Sequence, residues 1–392
     1  MSLTVGLLMM GNANWLGGIQ YVNNLARALR HLPHEEAPRI AVFLQPGFRP
    51  EFADGLEDYA HEVLVARSDS IWTLAKDIRA RGLQSVLAPR LAQVARKYSV
   101  DLVFPVQESL GPHYPIRWLG WIPDFQHRVL PQYFHRIHRV ARDIRYRRLV
   151  QESSRLVLSS NVALGHLAEF LGGEVPPKVH VLRFTVVPDD RWFQIDCNEV
   201  RKHYALPDRY LIVPNQFWSH KNHQDVFEAV RILLAERLEP VIVCTGERHD
   251  PRRSQHFGRL MRFLEANRLA GAVRILGAVP RLHQIALLRG SLAVVQPSFF
   301  EGWSTVIEEA RALAKPVIAS DLRVHLEQAH PNARYFTPGN PEQLARLIAE
   351  AWQNLLPGPD LPLEAAVQVD QIRRVRQFAD DFRTIAIRAL SG

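Results

Sequence analysis

Cysteine is nearly absent: the 392 residues carry two, Cys197 and Cys244. Their spacing suits no metal site and their number no disulfide framework, so both read as reduced thiols of a cytoplasmic protein. Internal repeats and low-complexity segments are missing as well. The apolar run Val5–Met10 is too short to span a membrane. No basic segment precedes it and no cleavage pattern follows, so it reads as a first buried strand. There is no G-x-G-x-x-G element, and no suitable acidic residue sits about 20 positions beyond the first glycine turn, which argues against a dinucleotide-dependent dehydrogenase.

What is present is an ordinary globular composition, 47% hydrophobic and 22% charged, in a chain long enough for two cores. The formal charge of +8 points to an anionic partner. Much of the excess lies between Arg128 and Arg155, where Arg136, Arg139, Arg142, Arg145, Arg147 and Arg148 face only Asp143 and Glu152. Such a run is a solvated helix face or a surface that docks on anionic lipid. Nucleic acid is not expected, because the run has little aromatic interleaving and matches no binding module.

The stretch Pro297–Ala310 organises the chain. Before it stands the unbroken apolar run Leu292–Val295 and after it Lys315–Ser320, both patterned as strands buried on two faces. A helical crossover between them makes a βαβ unit, and ligands in such sheets sit outside the carboxyl ends of the strands. The helix is expected to open with a capping box, Thr305 as N-cap and Glu308 reaching back, with Glu308 directed away from the core. Glu309 is expected near the crevice, in need of a partner, and Glu301 in the loop before the helix. Amides at the helix start, those of Val306 and Ile307 among them, would form an anion site. Carboxylates on either side of that site suit a nucleotide-sugar, with hydroxyls at each end and a diphosphate between. From spacing alone, the alternative is two surface glutamates on a loop and a helix.

Glu301 and Glu309, separated by seven residues and preceded by Pro-Ser-Phe-Phe, resemble the E-x7-E motif of family 4 glycosyltransferases. The continuation Ala310–Asp321 and His325-Leu-Glu-Gln328 resembles that family too. The resemblance implies a GT-B fold, α/β with two doubly wound Rossmann-like domains facing a cleft. It implies retaining transfer of a hexosyl group from a UDP- or GDP-type sugar to an acceptor hydroxyl, in polysaccharide or glycolipid synthesis. In that reading Glu309 takes the ribose, Glu301 the sugar hydroxyls, and Gly302, Trp303 and Ser304 approach the sugar through backbone groups. Thr305 and Val306 offer the helix-start amides to the diphosphate. The acceptor would be a saccharide or lipid-linked saccharide. The resemblance implies that no cofactor or metal is needed, and the sequence agrees, since no acidic pair with D-x-D spacing flanks the proposed diphosphate site.

Elsewhere the resemblance carries over position by position. Gly17 and Gly18 fall where the family's glycine turn opens the first helix beside the diphosphate. The family often has His-Asp close to the reacting sugar; here Pro123 replaces the His and Asp124 remains, so Asp124, Glu301 and Lys221 are the catalytic candidates. His127 nearby reads as structural or solvated. The family's Arg and Lys on the diphosphate correspond to Asn215, which supplies no charge, and Lys221. Gly246, Gly277 and Val279 lie where the family holds base and ribose. Residues 1–190 would form the acceptor-side domain and 191–368 the donor domain, with a last helix over 369–390 returning to the first. Localisation is expected to be cytoplasmic, or peripheral at the inner face of the membrane. A nucleotide-sugar epimerase of the same fold, or a catalytically silent nucleotide-sugar-binding subunit, are the alternatives.

Overall fold

The structure, a computed structural model, describes residues 3–9, 16–44, 58, 60–65 and 91–391. It divides into two compact units. One comprises Met1–Phe125, Arg136–Val187 and Ile372–Gly392, and the other Gln126–His135 and Pro188–Gln371.

The first unit is built on seven strands: β1 (Thr4–Leu8), β2 (Arg39–Leu44), β3 (Glu62–Val65), β4 (Leu102–Val106), β5 (Arg117–Ile122), β6 (Arg155–Leu158) and β7 (Val179–Val181). They pair in parallel in the order β3-β2-β1-β4-β5-β6-β7. Strand β4 is buried at every residue, as expected where helices cover both faces of a parallel sheet. Tyr21 of the helix Leu16–Leu29 stacks on Trp121 of β5 at 4.4 Å. The Trp121 indole N–H donates to Ser159 Oγ at 3.2 Å, so a large amphipathic ring is buried with its polar atom satisfied.

The second unit repeats the plan with β8 (Leu211–Pro214), β9 (Ile242–Thr245), β10 (Val273–Gly277), β11 (Val294–Gln296), β12 (Val317–Ser320) and β13 (Ala333–Phe336). The order is β10-β9-β8-β11-β12-β13, again parallel throughout. In both sheets the order reverses beside the first strand, at β1/β4 and at β8/β11. Connections of a doubly wound sheet leave opposite faces there and open a crevice at the carboxyl ends.

One expectation needs correction. The last helix spans Leu361–Leu390 and not 369–390. Pro362 reads as a breaker, yet in a first turn its missing N–H would have had no intrahelical partner anyway. From Ile372 onward this helix counts with the first unit, where Val375, Phe378, Ala379, Phe382, Ile385 and Ala386 are buried, while Ile372 itself is exposed. The Phe382 ring meets Phe104 of β4 at 5.2 Å. The earlier part of the helix belongs to the second unit. There Glu364 takes a two-pronged contact from Arg289, Nε to Oε1 at 2.9 Å and Nη2 to Oε2 at 2.8 Å, with both residues buried. Planar guanidinium and carboxylate match in this geometry, which satisfies two charges that burial would otherwise penalise.

Candidate active site

The second unit gathers the site residues at its topological switch point. Strand β8 ends at Pro214 and β11 at Gln296, and the next residue after β8, Asn215, donates from Nδ2 to Gln296 Oε1 at 2.7 Å. Both side chains are buried. Gln296 passes the contact on, donating from Nε2 to Glu301 Oε1 at 2.8 Å. Ser298 Oγ at 2.6 Å and Lys221 Nζ at 2.7 Å donate to the same oxygen. The loop between β11 and the following helix is therefore tied down by three donors converging on one carboxylate oxygen. Oε2 receives none of these three contacts. Lys221 comes from the far side of the switch point, at the end of the one-turn helix Ser219–Lys221.

The helix Thr305–Ala312 starts differently from the capping box. Ser304 is the N-cap, its Oγ accepting from Ile307 N at 3.4 Å, and Thr305 is the first helical residue. Glu308 is fully buried, not turned outward. Gln328 explains why. Its Oε1 accepts from Ser304 N at 3.1 Å, and its Nε2 donates to Ser304 O at 2.9 Å and to Glu308 Oε1 at 3.0 Å. A helix packed on the sheet by one stripe is here covered on a second side by the segment Arg323–Gln328, which wheel geometry cannot foresee.

Glu309, one residue on, is buried to 2% exposure. Its Oε1 pairs with Arg281 Nη1 at 2.7 Å, while the buried Oε2 has no hydrogen-bond partner among the described residues. Burial raises the carboxyl pKa, and the adjacent Arg281 guanidinium opposes that rise. Arg281 opens the helix Arg281–Gly290 after Pro280, and its guanidinium lies 4.9 Å over the Trp192 ring.

The neighbouring strand ends close the same edge. Gly246, just beyond β9, has φ +123°, and a Cβ there would sit 2.4 Å from the Asn215 carbonyl oxygen, so only glycine fits. Its N–H donates to Gly277 O at 2.8 Å, joining the ends of β9 and β10. Val279 is half-buried two residues further on. Gly302, Thr305 and Val306 are half-buried, whereas Trp303 and Ser304 are buried. Among the described residues no three His, Cys, Asp or Glu side chains gather as a metal-ligand set would.

Beside Lys221, His220 is buried and its pKa is pushed well down, by desolvation first and then by the Lys221 and Arg252 charges, so the ring is neutral. Asp250 accepts from Ser219 N and Oγ at 2.9 and 3.0 Å and from Arg252 N at 2.9 Å. Burial alone would raise its pKa; these bonds more than reverse that. Arg252 also donates to Gln126 Oε1 at 2.6 Å.

The remaining candidates lie in the first unit. Asp124 is half-buried past the carboxyl end of β5, and its carbonyl accepts from Tyr146 Oη at 3.0 Å. Gly17 is exposed and Gly18 buried in the first turn of the helix Leu16–Leu29. The turn that precedes them, 10–15, lies outside the described residues. His127 is buried in the second unit, edge-on to Phe134 at 6.3 Å.

Gln296 and Arg281 escaped the sequence reading, and Ser298 and Gln328 entered it only within matched motifs, without a role. Gln296 had a signal, a polar residue closing an apolar strand directly before the key loop. Arg281 had one too, a cation one residue after the Gly277–Pro280 turn at the same sheet edge.

Residues 198–356 match the family model described as glycosyl transferases group 1. A glycosyltransferase from Rickettsia africae superposes with a TM-score of 0.66 at 16% identity, covering 99% of this chain and 98% of that one. The HepE protein of Anabaena, in complex with UDP and glucose, superposes at 0.64 with 16% identity, covering 96% and 94%. The glycosyltransferase WaaG, involved in lipopolysaccharide biosynthesis, gives 0.60 at 15% identity, covering 96% and 95%. The fold is GT-B. No curated protein sequence matches the chain. In this GT-B chain the matched segment holds the whole network around Glu301 and Glu309, including the cations Lys221 and Arg281.

Proposed function

We propose that this chain transfers a hexosyl group from a nucleotide-diphosphate sugar to an acceptor hydroxyl with retention of configuration, as family 4 glycosyltransferases do. The observation that carries the reading is the contrast between the two carboxylates. Glu309 is buried with one oxygen neutralised by Arg281 and the other open to a donor, which suits a pair of ribose hydroxyls. Glu301 is held by three donors on one oxygen, so its position is set before any ligand arrives.

In this reading Lys221 and the amides at the start of the Thr305–Ala312 helix neutralise the diphosphate. The cation is needed more here because Asn215 is engaged by Gln296 and brings no charge. Gly246, Gly277 and Val279 line the base and ribose, and Gly302, Trp303 and Ser304 approach the sugar. Gly17 and Gly18 bind the donor and Asp124 serves the reaction in this reading, with a saccharide or lipid-linked saccharide as acceptor. The reaction needs no metal ion in this scheme, and its place is the cytoplasm or the inner face of the membrane.

Incubation with UDP- and GDP-sugars, followed by anomer-resolved NMR, tests the proposal. Transfer releases nucleoside diphosphate and keeps the anomeric configuration. An isomerised nucleotide-sugar would make the chain an epimerase. Tight binding with no product in the presence of acceptor saccharides would make it a silent subunit.

A further inference from the structure

The helix Arg136–Glu152 is the most basic element of the chain, and the structure shows what its outer face carries. Tyr146, Leu149 and Val150 are buried on one side. On the opposite side Ile137, Val140 and Ile144 are exposed at 74%, 51% and 56%. Their spacing of three and four residues places all three on a single stripe along the helix. Arg136 and Arg147 border the stripe on one edge and Arg148 borders it on the other, all three exposed. Arg148 pairs with Glu152 at 3.2 Å but keeps 58% of its side chain accessible.

Three branched aliphatic side chains in a row on a solvent face are costly unless something covers them, and the arginine rims say what kind of surface does. A cationic border around an aliphatic ridge suits a layer with anionic groups outside and hydrocarbon just beneath. A nucleic acid would offer phosphates but no hydrocarbon, and its binding faces use stacking rings, which this stripe lacks. No described helix is long and apolar enough to cross a membrane, so the contact would lie in the plane of the interface.

We infer that the outer face of the Arg136–Glu152 helix docks on an anionic lipid bilayer, with Ile137, Val140 and Ile144 entering the headgroup boundary. The inference rests on the surface of the first unit and not on the transfer chemistry, so each can fail without the other.

The test is flotation of the full chain with vesicles of phosphatidylcholine alone or with one-third phosphatidylglycerol. The chain floats with the anionic vesicles and not with the neutral ones, and the binding weakens with salt. Ile137→Ser/Ile144→Ser lowers partitioning on the order of tenfold through lost apolar burial. Arg136→Gln/Arg147→Gln/Arg148→Gln lowers it by roughly fivefold per arginine, the equivalent of about 1 kcal/mol each. Hydrogen exchange on the unaltered protein gives a readout that needs no variant: amides of residues 136–152 slow on anionic vesicles. Failure to float, unchanged flotation of the isoleucine variant, or exchange slowing elsewhere but not in this helix overturns the inference. Capture of the same face by a single-stranded oligonucleotide, with vesicles unable to compete, would also overturn it.

Discussion

Arg281 offers a sharp perturbation, because it holds a charge that burial would otherwise neutralise. Its guanidinium lies 2.7 Å from Glu309 Oε1, with Glu309 buried and Arg281 31% exposed along its side chain. Removing one partner of a fully buried pair costs about 3–5 kcal/mol, and the partial exposure of Arg281 brings the expected cost of Arg281→Gln to about 1–3 kcal/mol at neutral pH. The sign with pH follows from the raised pKa of Glu309. A carboxyl whose folded pKa lies above its unfolded value favours folding most below the unfolded value, and that contribution is lost as pH rises through the folded one. Without Arg281 the folded pKa rises further, so the variant is penalised most at neutral pH and approaches the parent as pH falls. Nucleoside diphosphate affinity moves the other way: protonation removes an acceptor for hydroxyls, so binding weakens on acidification and does so at higher pH in the variant. Urea denaturation and calorimetry across pH 5 to 8 measure both effects, and Arg281→Lys restores part of each. Parallel pH curves for Arg281→Gln and the parent would refute the assigned pairing.

Four further outcomes follow from the same geometry. Glu308→Ala lowers stability by about 1–3 kcal/mol by stripping a buried acceptor from Gln328, with turnover of the remaining folded enzyme unchanged, as thermal melts beside initial rates will show. Gly246→Ala brings a methyl against the Asn215 carbonyl and forces a positive φ on a side chain; it destabilises by about 1–3 kcal/mol and weakens nucleotide binding, measured by the same pair of assays. Gln296→Ala removes one of three donors to Glu301 and lowers kcat about tenfold with nucleoside diphosphate affinity preserved. Glu364→Gln, which leaves Arg289 buried without a full counter-charge, costs about 3–5 kcal/mol in urea denaturation without changing KM.

Strand positions were legible where parallel strands buried on both faces are written as unbroken apolar runs: Val5–Met10, Leu292–Val295 and Lys315–Ser320 locate β1, β11 and β12 to within a residue or two. Strand β13 was not, since Ala333–Phe336 lies at the sheet edge, partly exposed, and lacks that run. The loop with Glu301 and Glu309 was legible by spacing and resemblance. Their environments were not, because Gln296, Ser298, Lys221 and Arg281 arrive from 3 to 80 residues away in the chain. The burial of Glu308 shows the limit most plainly: helical periodicity reports the face toward the sheet, and only the tertiary fold brings Gln328 over the other side. The outward stripe of the Arg136–Glu152 helix was half legible. Its arginines stood out in the charge pattern, but the side on which Ile137, Val140 and Ile144 lie, and their exposure there, came only from the fold.

The central claim is that Glu309 holds the nucleotide side of a donor and Glu301 the sugar side. Titration calorimetry of UDP and GDP against the parent, Glu309→Gln and Glu301→Gln tests it most directly. The account predicts that one of the two nucleotides binds the parent, that Glu309→Gln weakens it by about 1–3 kcal/mol, and that Glu301→Gln changes it by less than about twofold while turnover falls. Equal losses in both variants, or unaltered binding by Glu309→Gln, would contradict it.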